Sequence, residues 1–393
     1  MSSILSTDKT LRDHQHIKVQ SAQETRLKQE LQSRTDAESQ RIERYLAMPD
    51  LSRTEGSPLR ELVKRIVNLP DFKDFDVIQV PEIVPADISF DLFDFPKDHP
   101  ARSKSDTYYA DSNHILRTHT TVMWYYYLKH PAIKRRIANG EAVGSFCYGK
   151  VYRKDEIDRH HMNVFHNMDG WYLIPKDQKI ITSQDLQDVL AIIAKSNFGL
   201  RVKYRFNEDT FPYTVPSLEM EIDKGDGKWL EVVGAGIVKG SVLDKLGVDS
   251  AEYNGWAFGF GLERLAMISM ELPDIRLFWS QDGRVKKQLV LGNKFREVSK
   301  FPSITRDISF IVDKSFVPND YFDLIRDIGG DLVEEVRLLD KYEDLEKFGR
   351  DKVSYTYRVV YRSPQRTLTA EEVEKLQSRL YQQTKMQYKA DLR

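Results

Sequence analysis

The sequence is poor in cysteine, in long apolar runs and in net charge. Its single cysteine, Cys147, excludes a disulfide framework and a cysteine-based metal site, and it fits a reducing compartment. No apolar stretch approaches the roughly 20 residues that a membrane-spanning helix needs. The formal net charge of −1 over 393 residues gives the chain no general attraction for a polyanion. A nucleic-acid partner therefore has to be argued from local patches.

The first 45 residues carry no recognisable targeting signal. No apolar region follows Met1, which argues against a secretory signal peptide. Mitochondrial transit peptides are rich in arginine and poor in acids. Here acidic residues interleave with the basic ones, namely Asp8, Asp13, Glu24, Glu30, Asp36 and Glu38. We therefore predict a polar helical arm over residues 1–45 and a cytoplasmic location.

The middle of the chain predicts an antiparallel sheet with helices at its ends. Ser57 and Pro58 open a helix, because serine caps a helix and proline fits its first turn. Strand-like runs over 146–152 and 164–174 flank a very polar segment. Two later strands are separated by residues 223–227, whose composition is typical of a hairpin turn. Strands do not alternate with helices as in a parallel sheet, so the pattern argues against a Rossmann fold.

Residues 300–393 predict a separate domain. Their elements follow the order β-α-β-β-α-β, which is the split βαβ or ferredoxin-like pattern. Thr369 and Glu372 form a capping box that opens the last long helix. Residues 281–299 are the predicted linker, and residues 46–280 are the predicted central domain. The predicted fold class is therefore α+β.

Two segments contain residue types suited to nucleotide chemistry. In the charged hairpin, Arg153 ends one strand and Phe165 lies in the next. An arginine there can stabilise the charge that develops at an α-phosphate, and a phenylalanine offers a flat partner for a base. A solvated charged hairpin explains these residues equally well.

The second segment, residues 255–264, joins a glycine-dense strand to a helix with a cation in its first turn. Glycines weaken a strand unless something approaches its backbone closely. The helix dipole disfavours a cation in the first turn, so a bound anion explains Arg264 better than helix stability does. A tight strand–helix packing corner is the alternative interpretation.

These segments resemble the signature motifs of class II aminoacyl-tRNA synthetases. Arg153 with Phe165 is similar to motif 2, and residues 259–264 are similar to motif 3. The helix from Ser57 and the strand ending at Pro81 are similar to motif 1. Further stretches resemble phenylalanyl-tRNA synthetases, namely residues 98–102, 116–120, 151–153, 165–166, 211–212 and 255–267. Residues 273–279 resemble the single-chain, mitochondrial-type subgroup of these enzymes. The ferredoxin-like domain resembles the anticodon-binding domain of that subgroup.

The resemblance implies a class II antiparallel sheet flanked by helices, and it implies an activity. The activity is ATP-dependent attachment of phenylalanine to tRNA(Phe) through a phenylalanyl-adenylate. It needs ATP and Mg²⁺, and it involves neither DNA nor a membrane. The subgroup also implies a monomer, and it makes the mitochondrial matrix or another organelle the alternative to a cytoplasmic location.

The resemblance further implies roles for individual residues. Arg153 and Arg264 would be catalytic and would hold the ATP phosphates. The implied ATP site also contains His161, Phe165 and Glu231, and Glu231 would contact Mg²⁺. Phe211 and Tyr213 would pack edge-on against the substrate ring, a favoured aromatic geometry, with Ala257 and Phe258 as the pocket floor. The implied amino-acid site comprises His119, Thr121, Asn167, Asp169, Phe211, Tyr213, Ala257 and Phe258.

The chain departs from the family pattern around the amino acid rather than around ATP. Asn167 and Asp169 stand where Gln and Glu are usual, so each is one methylene shorter. Thr121 stands for serine, Trp124 for glutamine, and Tyr213 for phenylalanine, which brings a hydroxyl beside an apolar pocket. A class II paralogue that activates a different amino acid, and a non-catalytic synthetase-like tRNA-binding protein, remain alternatives.

Residues 300–393 contain as many acidic as basic residues, so only a local patch can attract tRNA. Three tyrosines, Tyr355, Tyr357 and Tyr361, could offer a stacking surface for bases, but their strict alternation favours a face packed on the domain's own helices. The predicted tRNA-contacting residues are Arg350, Lys352, Arg358, Arg362 and Arg366.

Overall fold

The computed structural model describes residues 15–223, 227–297 and 301–392. The chain divides into two compact units. The first comprises Met1–Pro96, Tyr109–Val151 and Phe165–Ala266, and the second comprises Lys97–Tyr108, Tyr152–Val164 and Met267–Arg393. Across the residues that the structure describes, no helix combines the length and the apolar character needed to cross a membrane.

The first unit contains the following elements, three of which extend at one end into the second unit. Its strands are β1 (His16–Lys18), β2 (Asp76–Gln79), β3 (Ile83–Pro85), β4 (His114–Leu116), β5 (Val143–Tyr152), β6 (Val164–Pro175), β7 (Tyr204–Asp209), β8 (Thr214–Asp223), β9 (Trp229–Val238) and β10 (Tyr253–Gly261). Its helices are α1 (Ala22–Ser33), α2 (Ala37–Ala47), α3 (Pro58–Val67), α4 (Ala86–Ser89), α5 (Met123–Lys129), α6 (Pro131–Ala138), α7 (Ser183–Phe198), α8 (Gly240–Lys245) and α9 (Leu262–Met270). As predicted, the Ser57 side chain caps α3 and Pro58 occupies its first turn.

An eight-stranded sheet in the order β1-β2-β5-β6-β10-β9-β8-β7 forms the centre of the first unit. β10 pairs antiparallel with β6 and β9, and β8 pairs antiparallel with β7 and β9, so the predicted antiparallel sheet is confirmed there. Two parallel pairings, β1 with β2 and β2 with β5, extend the sheet on one side. Of the predicted hairpin turn over residues 223–227, residues 224–226 lie outside the described residues, and Asp223 pairs with Trp229 beside them.

The described part of the N-terminal arm is docked on the first unit. β1 extends the sheet by parallel pairing with β2. The Glu24 carboxylate accepts a hydrogen bond of 2.9 Å from the backbone N–H of Glu82. Leu27 and Leu31 of α1 are buried. The polar composition of the arm did not indicate this docking, because the apolar anchors are few.

The central sheet has a bulky face and a shallow face. Neighbouring residues of a strand point to opposite faces. In β10, the rings of Trp256 and Phe258 lie on one face, 5.6 Å apart, and Phe258 also packs near Phe146. Ala257 and Gly259 lie on the other face, between β6 and β9. The shallow face leaves room above the backbone of β10.

The second unit holds the ferredoxin-like fold. Its strands are β11 (Ile304–Asp313), β12 (Val333–Tyr342), β13 (Lys352–Tyr361) and β14 (Asp391–Leu392), and its helices are α10 (Gly283–Lys286), α11 (Pro318–Gly329), α12 (Leu345–Phe348) and α13 (Ala370–Tyr388). The strands form one antiparallel sheet in the order β12-β13-β11-β14. The predicted β-α-β-β-α-β order is confirmed, with α12 as a short addition. The Thr369–Glu372 capping box is also present.

Alternating residues of β13 fill the core of this unit. Tyr355, Tyr357 and Tyr361 are buried in one apolar cluster with residues of β11 and α11. Since their rings are covered, they offer no stacking surface for bases. The interpretation that their alternation favoured, a sheet face packed on its own helices, is confirmed.

Three stretches of the predicted central domain, residues 97–108, 152–164 and 267–280, belong to the second unit. The carbonyl oxygen of Ile157 accepts a hydrogen bond of 2.9 Å from the N–H of Val336 in β12. Lys154 Nζ lies 2.9 Å from Asp320 Oδ1 of α11. Residues 281–299, the predicted linker, include α10, and residues 298 and 299 lie outside the described part of the chain. Sequence patterns did not indicate this grouping, since it depends on contacts between distant segments.

Candidate active site

Strands β6, β9 and β10 place several of the predicted residues on one face of the first unit. In the antiparallel pairing of β6 with β10, Asn167 lies opposite Gly261 and Asp169 lies opposite Gly259. Directly opposed residues share a face of a sheet. Ala257, two residues before Gly259, is therefore also on this face. The structure thus brings Asn167, Asp169 and Ala257 together, as predicted.

Glycine is required on this face because side chains approach the backbone closely. A Cβ atom at Gly259 would lie 2.2 Å from Asp169 Oδ1, and one at Gly234 in β9 would lie 2.7 Å from the ring of Phe211. Both distances are far below van der Waals contact, so any larger residue would displace these groups. Gly259 in the glycine-dense strand β10 therefore makes room for Asp169. This agrees with the expectation that another group approaches the backbone of this strand closely.

Asp169 is held by two threonine hydroxyls. Thr120 Oγ1 donates to Asp169 Oδ2, and Thr121 Oγ1 donates to Oδ1 at 3.3 Å. All three side chains are buried. A buried carboxylate that accepts such bonds is fixed in orientation and can receive a cationic group of a ligand. Thr120 was not predicted, although it directly precedes the predicted Thr121.

Aromatic rings surround Tyr213 on several sides. Phe93 lies 5.7 Å away at 76°, Trp124 lies 6.0 Å away at 88°, and Phe211 lies 6.1 Å away at 17°. Trp124 in turn stacks on Trp171 at 4.8 Å. Phe93 and Trp124 meet Tyr213 edge-to-face, which is a geometry that aromatic rings favour. The predicted pair Phe211 and Tyr213 therefore belongs to a larger cluster of rings.

His119 belongs to the same cluster. Its ring lies 5.9 Å from Phe93 in an edge arrangement and 6.2 Å from Phe95 in a stacked one. The contributions of Phe93, Phe95 and Trp171 were missed from the sequence. No local pattern distinguishes these aromatic residues from core residues, because their positions depend on how distant segments meet.

Phe258 is not part of this arrangement. Its ring lies on the opposite face of the sheet, where a Cβ atom at Gly170 would come within 2.5 Å of it. It stacks with Phe260 at 5.8 Å. The expectation that Ala257 and Phe258 together form a pocket floor is corrected here, because adjacent strand residues cannot share a face.

Arg264 and Glu231 form an exposed charged pair beside the shallow face. Arg264 lies in the first turn of α9, as predicted, and its Nη1 donates to the carbonyl oxygen of Glu231 at 3.2 Å. The two side chains are about half exposed, with Nη1 and Oε2 3.8 Å apart. Burial raises the pKa of Glu231, and the nearby carboxylates of Glu219 and Asp209 raise it further against the attraction of Arg264. An excess of negative charge there suits a bound cation.

Two of the predicted nucleotide-binding residues, Arg153 and His161, belong to the second unit. The Arg153 side chain is exposed, and its backbone N–H donates to the carbonyl oxygen of Asn163 at 3.0 Å. His161 Nδ1 lies 2.8 Å from Asp158 Oδ2. Burial opposes ionisation of Asp158, but hydrogen bonds from His161 and from the His160 amide outweigh it and lower its pKa to about 2. Phe165, which follows this segment in β6, is half-buried and belongs to the first unit.

Most of the predicted tRNA-contacting cations form ion pairs within the second unit. Lys352 pairs with Asp391 at 3.0 Å, Arg358 with Asp307 at 2.7 Å, Arg362 with Glu334 at 2.8 Å and Arg366 with Glu372 at 2.6 Å. The bond from Arg366 and the amide of Thr369 lower the pKa of Glu372 to about 2. Among the described residues, Arg350 is exposed and has no acidic partner. Of the five cations, Arg350 therefore keeps its charge available.

Comparison with protein families matches two successive parts of the chain. Residues 42–289 match the tRNA synthetases class II core domain (F). Residues 299–393 match the ferredoxin-fold anticodon binding domain. The two matches join at the predicted linker, and together they cover most of the chain.

Individual relatives cover most of the chain as well. It is 39% identical over 322 residues to the chloroplastic/mitochondrial phenylalanine–tRNA ligase of Arabidopsis thaliana, covering 79% of this chain and 71% of the relative. It is 36% identical over 342 residues to the mitochondrial phenylalanine–tRNA ligase of Mus musculus, covering 77% and 72%. It is 33% identical over 415 residues to the mitochondrial phenylalanine–tRNA ligase of Saccharomyces cerevisiae, covering 85% and 87%.

Proposed function

We infer the function from the family: the chain belongs to the class II tRNA synthetases, of the single-chain phenylalanine–tRNA ligase type. It attaches phenylalanine to tRNA(Phe) through a phenylalanyl-adenylate formed from ATP. The observation that carries this function is the shallow face of β6, β9 and β10, where Asp169 lies next to a cluster of aromatic rings. A carboxylate beside an aromatic cluster suits a ligand with an ammonium group and a phenyl ring.

Within this reaction, the first step needs charge stabilisation more than a covalent nucleophile. The carboxylate of phenylalanine attacks the α-phosphate of ATP, and pyrophosphate leaves. We assign Arg153 and Arg264 to the phosphates, where fixed cations lower the energy of the transition state. His161 and Phe165 complete the ATP site. The terminal adenosine hydroxyl of tRNA then takes the acyl group, and AMP leaves.

For the amino acid, we assign Asp169 to the ammonium group and Phe211, Tyr213 and Ala257 to the ring. Asn167, Thr121 and His119 complete the head-group site. The shorter side chain of Asp169 fits this role because Thr120 and Thr121 orient its carboxylate. The departures from the family pattern are thus compatible with phenylalanine as the substrate.

Mg²⁺ bound together with ATP would neutralise phosphate charge. Glu231 would contact it, because the carboxylates around Glu231 make the site attractive to a cation. Mg²⁺ prefers oxygen ligands and is often held by one or two carboxylates together with substrate phosphates. In the described part of the chain, no group of three or more metal-binding side chains stands ready to hold an ion. We therefore assign most of its ligands to the phosphates of ATP.

For tRNA, we propose contact through the ferredoxin-like fold, with Arg350 as the main cation. Lys352, Arg358, Arg362 and Arg366 contribute less, because each already has an acidic partner. An Arg350→Ala variant should lower kcat/KM for tRNA charging and leave pyrophosphate exchange unchanged. An Arg358→Ala variant with the larger effect on charging would contradict this assignment.

We further propose an organelle as the location and a monomer as the active form. The relatives compared are named as mitochondrial or chloroplastic enzymes, so the predicted cytoplasmic location finds no support among them. Imaging of the tagged chain in intact cells tests the location, and light scattering of the purified chain tests the oligomeric state.

The reaction itself is tested by ATP–pyrophosphate exchange with each of the twenty amino acids, followed by charging of tRNA. Exchange should depend on phenylalanine and should be strongest with it. Strong exchange with a different amino acid would establish the paralogue. Absence of ATP binding would establish the non-catalytic alternative.

A further inference from the structure

A buried histidine connects three segments beside the proposed ATP site. His166 lies between Phe165 and Asn167 in β6, and its side chain is 0% exposed. Its Nδ1 lies 2.6 Å from Oε1 of Glu263, the residue before Arg264 in α9. Its Nε2 lies 2.9 Å from the backbone nitrogen of Leu51, in the turn that follows α2. His166 therefore lies directly beside Phe165 in β6 and links this strand to α9, which carries Arg264, and to the turn after α2.

The Glu263 carboxylate accepts the backbone hydrogen bond of His166 beyond the end of strand β10. Asn167 pairs with Gly261, the last residue of β10, and the chain then turns into α9. The backbone N–H of His166 donates instead to Glu263 Oε2 at 2.9 Å. Glu263 is itself buried, and both of its oxygens accept hydrogen bonds from His166. A buried carboxylate bound in this way is held firmly, since bonds to a charged acceptor are among the stronger ones.

The contacts determine which ring nitrogen carries the proton. A backbone N–H can only donate, so Nε2 of His166 must accept the bond from Leu51. The proton therefore lies on Nδ1, from where it is donated to Glu263. Asp50 Oδ1 is 3.5 Å from Nε2, but a proton on Nε2 would oppose the N–H of Leu51. The arrangement works with one tautomer only, and an amide cannot replace Glu263 without breaking it.

We propose that His166 and Glu263 are positioning residues that hold Phe165 and Arg264 in place for ATP. This inference rests on the proposed function of those two residues in the ATP site. Moving either group by a fraction of an ångström weakens binding of ATP, because a base stack and a phosphate contact must form together. The effect is therefore expected in the KM for ATP and not only in the amount of active protein.

Two substitutions of His166 separate its two links. In His166→Gln, the amide oxygen can reach the position of Nε2 and accept from Leu51, while the donor to Glu263 is lost. In His166→Asn, the amide nitrogen lies near the position of Nδ1 and can donate to Glu263, while the link to Leu51 is lost. We expect the KM for ATP in pyrophosphate exchange to rise about tenfold in His166→Gln and in Glu263→Gln. The rise should be clearly smaller in His166→Asn.

His114→Gln is the matched control. His114 is also buried, with Nδ1 2.8 Å from Asp111 Oδ1 and Nε2 2.6 Å from Gln23 Nε2 of α1. This variant loses a similar carboxylate link in the first unit, outside the proposed ATP site. Its thermal stability should fall, and its KM for ATP should stay within about twofold of the unmodified chain.

A purely structural role predicts a different result. Partial unfolding lowers the apparent kcat but leaves the KM for ATP of the folded fraction unchanged. If His166→Gln loses thermal stability as His114→Gln does and keeps the KM for ATP, the inference is overturned. A larger KM rise in His166→Asn than in His166→Gln also overturns it. The proposed function fails separately, if the unmodified chain shows no phenylalanine-dependent exchange.

Discussion

The central sheet and the ferredoxin-like sheet use the same alternation of side chains but treat their second faces differently. Both cover one face with rings, from Trp256 and Phe258 in β10 and from Tyr355 and Tyr357 in β13. The second face of β10 carries Ala257 and Gly259 and stays shallow. The second face of β13 carries Arg358, whose charge is paired with Asp307. A sheet face can bind a ligand where its residues are small enough to leave space above the backbone. It does so less readily where large charged side chains cover the face and are already paired with each other.

Filling the shallow face with a larger side chain should have the largest effect on activity. A Gly259→Val variant places a side chain where Asp169 Oδ1 would be only 2.2 Å from its Cβ. The carboxylate must move, so phenylalanine-dependent pyrophosphate exchange should fall by about 10²- to 10³-fold. Activity above a tenth of the unmodified level would contradict the proposed site.

The matched variant lies in the second unit. A Cβ atom at Gly329 of α11 would lie 2.4 Å from Val333 Cγ2, so Gly329→Val is also overpacked. It should cost about 1–3 kcal/mol of stability and leave the exchange rate of the folded molecules unchanged. Gly283→Ala controls for the added methyl group, since its Cβ atom meets nothing within 4 Å.

The aromatic lining of the shallow face limits how well tyrosine is rejected. An apolar pocket discriminates against an added hydroxyl by only about 10²-fold. We therefore expect measurable activation of tyrosine or meta-tyrosine, with kcat/KM about 10² below that for phenylalanine. Pyrophosphate exchange with each amino acid measures the ratio, and discrimination of about 10⁴-fold or better would count against the prediction.

Removing the Thr120 hydroxyl, which donates a hydrogen bond to Asp169, tests the role of that carboxylate. Thr120→Val loses the hydrogen bond to the carboxylate, and the KM for phenylalanine should rise about tenfold. Thr107→Val is the matched control, because Thr107 is a buried threonine of the second unit that donates to Ala101 at 2.7 Å. An equal rise of the KM for phenylalanine in both variants would contradict the assignment of Asp169 to the ammonium group.

The smallest effect concerns the covered face of β13. Within the described residues, the buried hydroxyl of Tyr357 has no hydrogen-bond partner, and burial raises its pKa above the usual value. Tyr357→Phe should therefore stabilise the second unit by about 1 kcal/mol. Tyr321→Phe should destabilise it by about as much, because its hydroxyl lies 3.0 Å from Thr384 Oγ1. Urea unfolding measures the change in the free energy of unfolding for both variants. Two changes of the same sign would contradict the prediction.

Local patterns predicted most elements correctly, and one residue prediction could have been avoided. The caps at Ser57 and Thr369, the glycine-dense β10 and the alternation of β13 all follow from neighbouring residues. Ala257 and Phe258 were predicted to share a pocket floor, although adjacent residues of a strand point to opposite faces. Strand periodicity alone was enough to separate them.

Other features depend on residues far apart in the chain. The arm was predicted as a polar helical segment, but Glu24 also reaches the backbone at Glu82, and β1 joins the sheet. Thr120 reaches Asp169 across 49 positions, and His166 reaches Glu263 across 97. Spacing along the sequence contains no information about such pairs unless a motif already relates them.

Local signals in the sequence were enough to identify the family, the α+β fold class and the ferredoxin-like fold, and they suggested Arg153, Phe165 and Arg264 as candidate ATP-site residues. These follow from local signals, because caps, periodicity and motif spacing act over a few residues. The folded structure was needed to show which cations are already paired and how Asp169 is held. Those outcomes depend on close packing and on charge partners, which are set where distant segments meet.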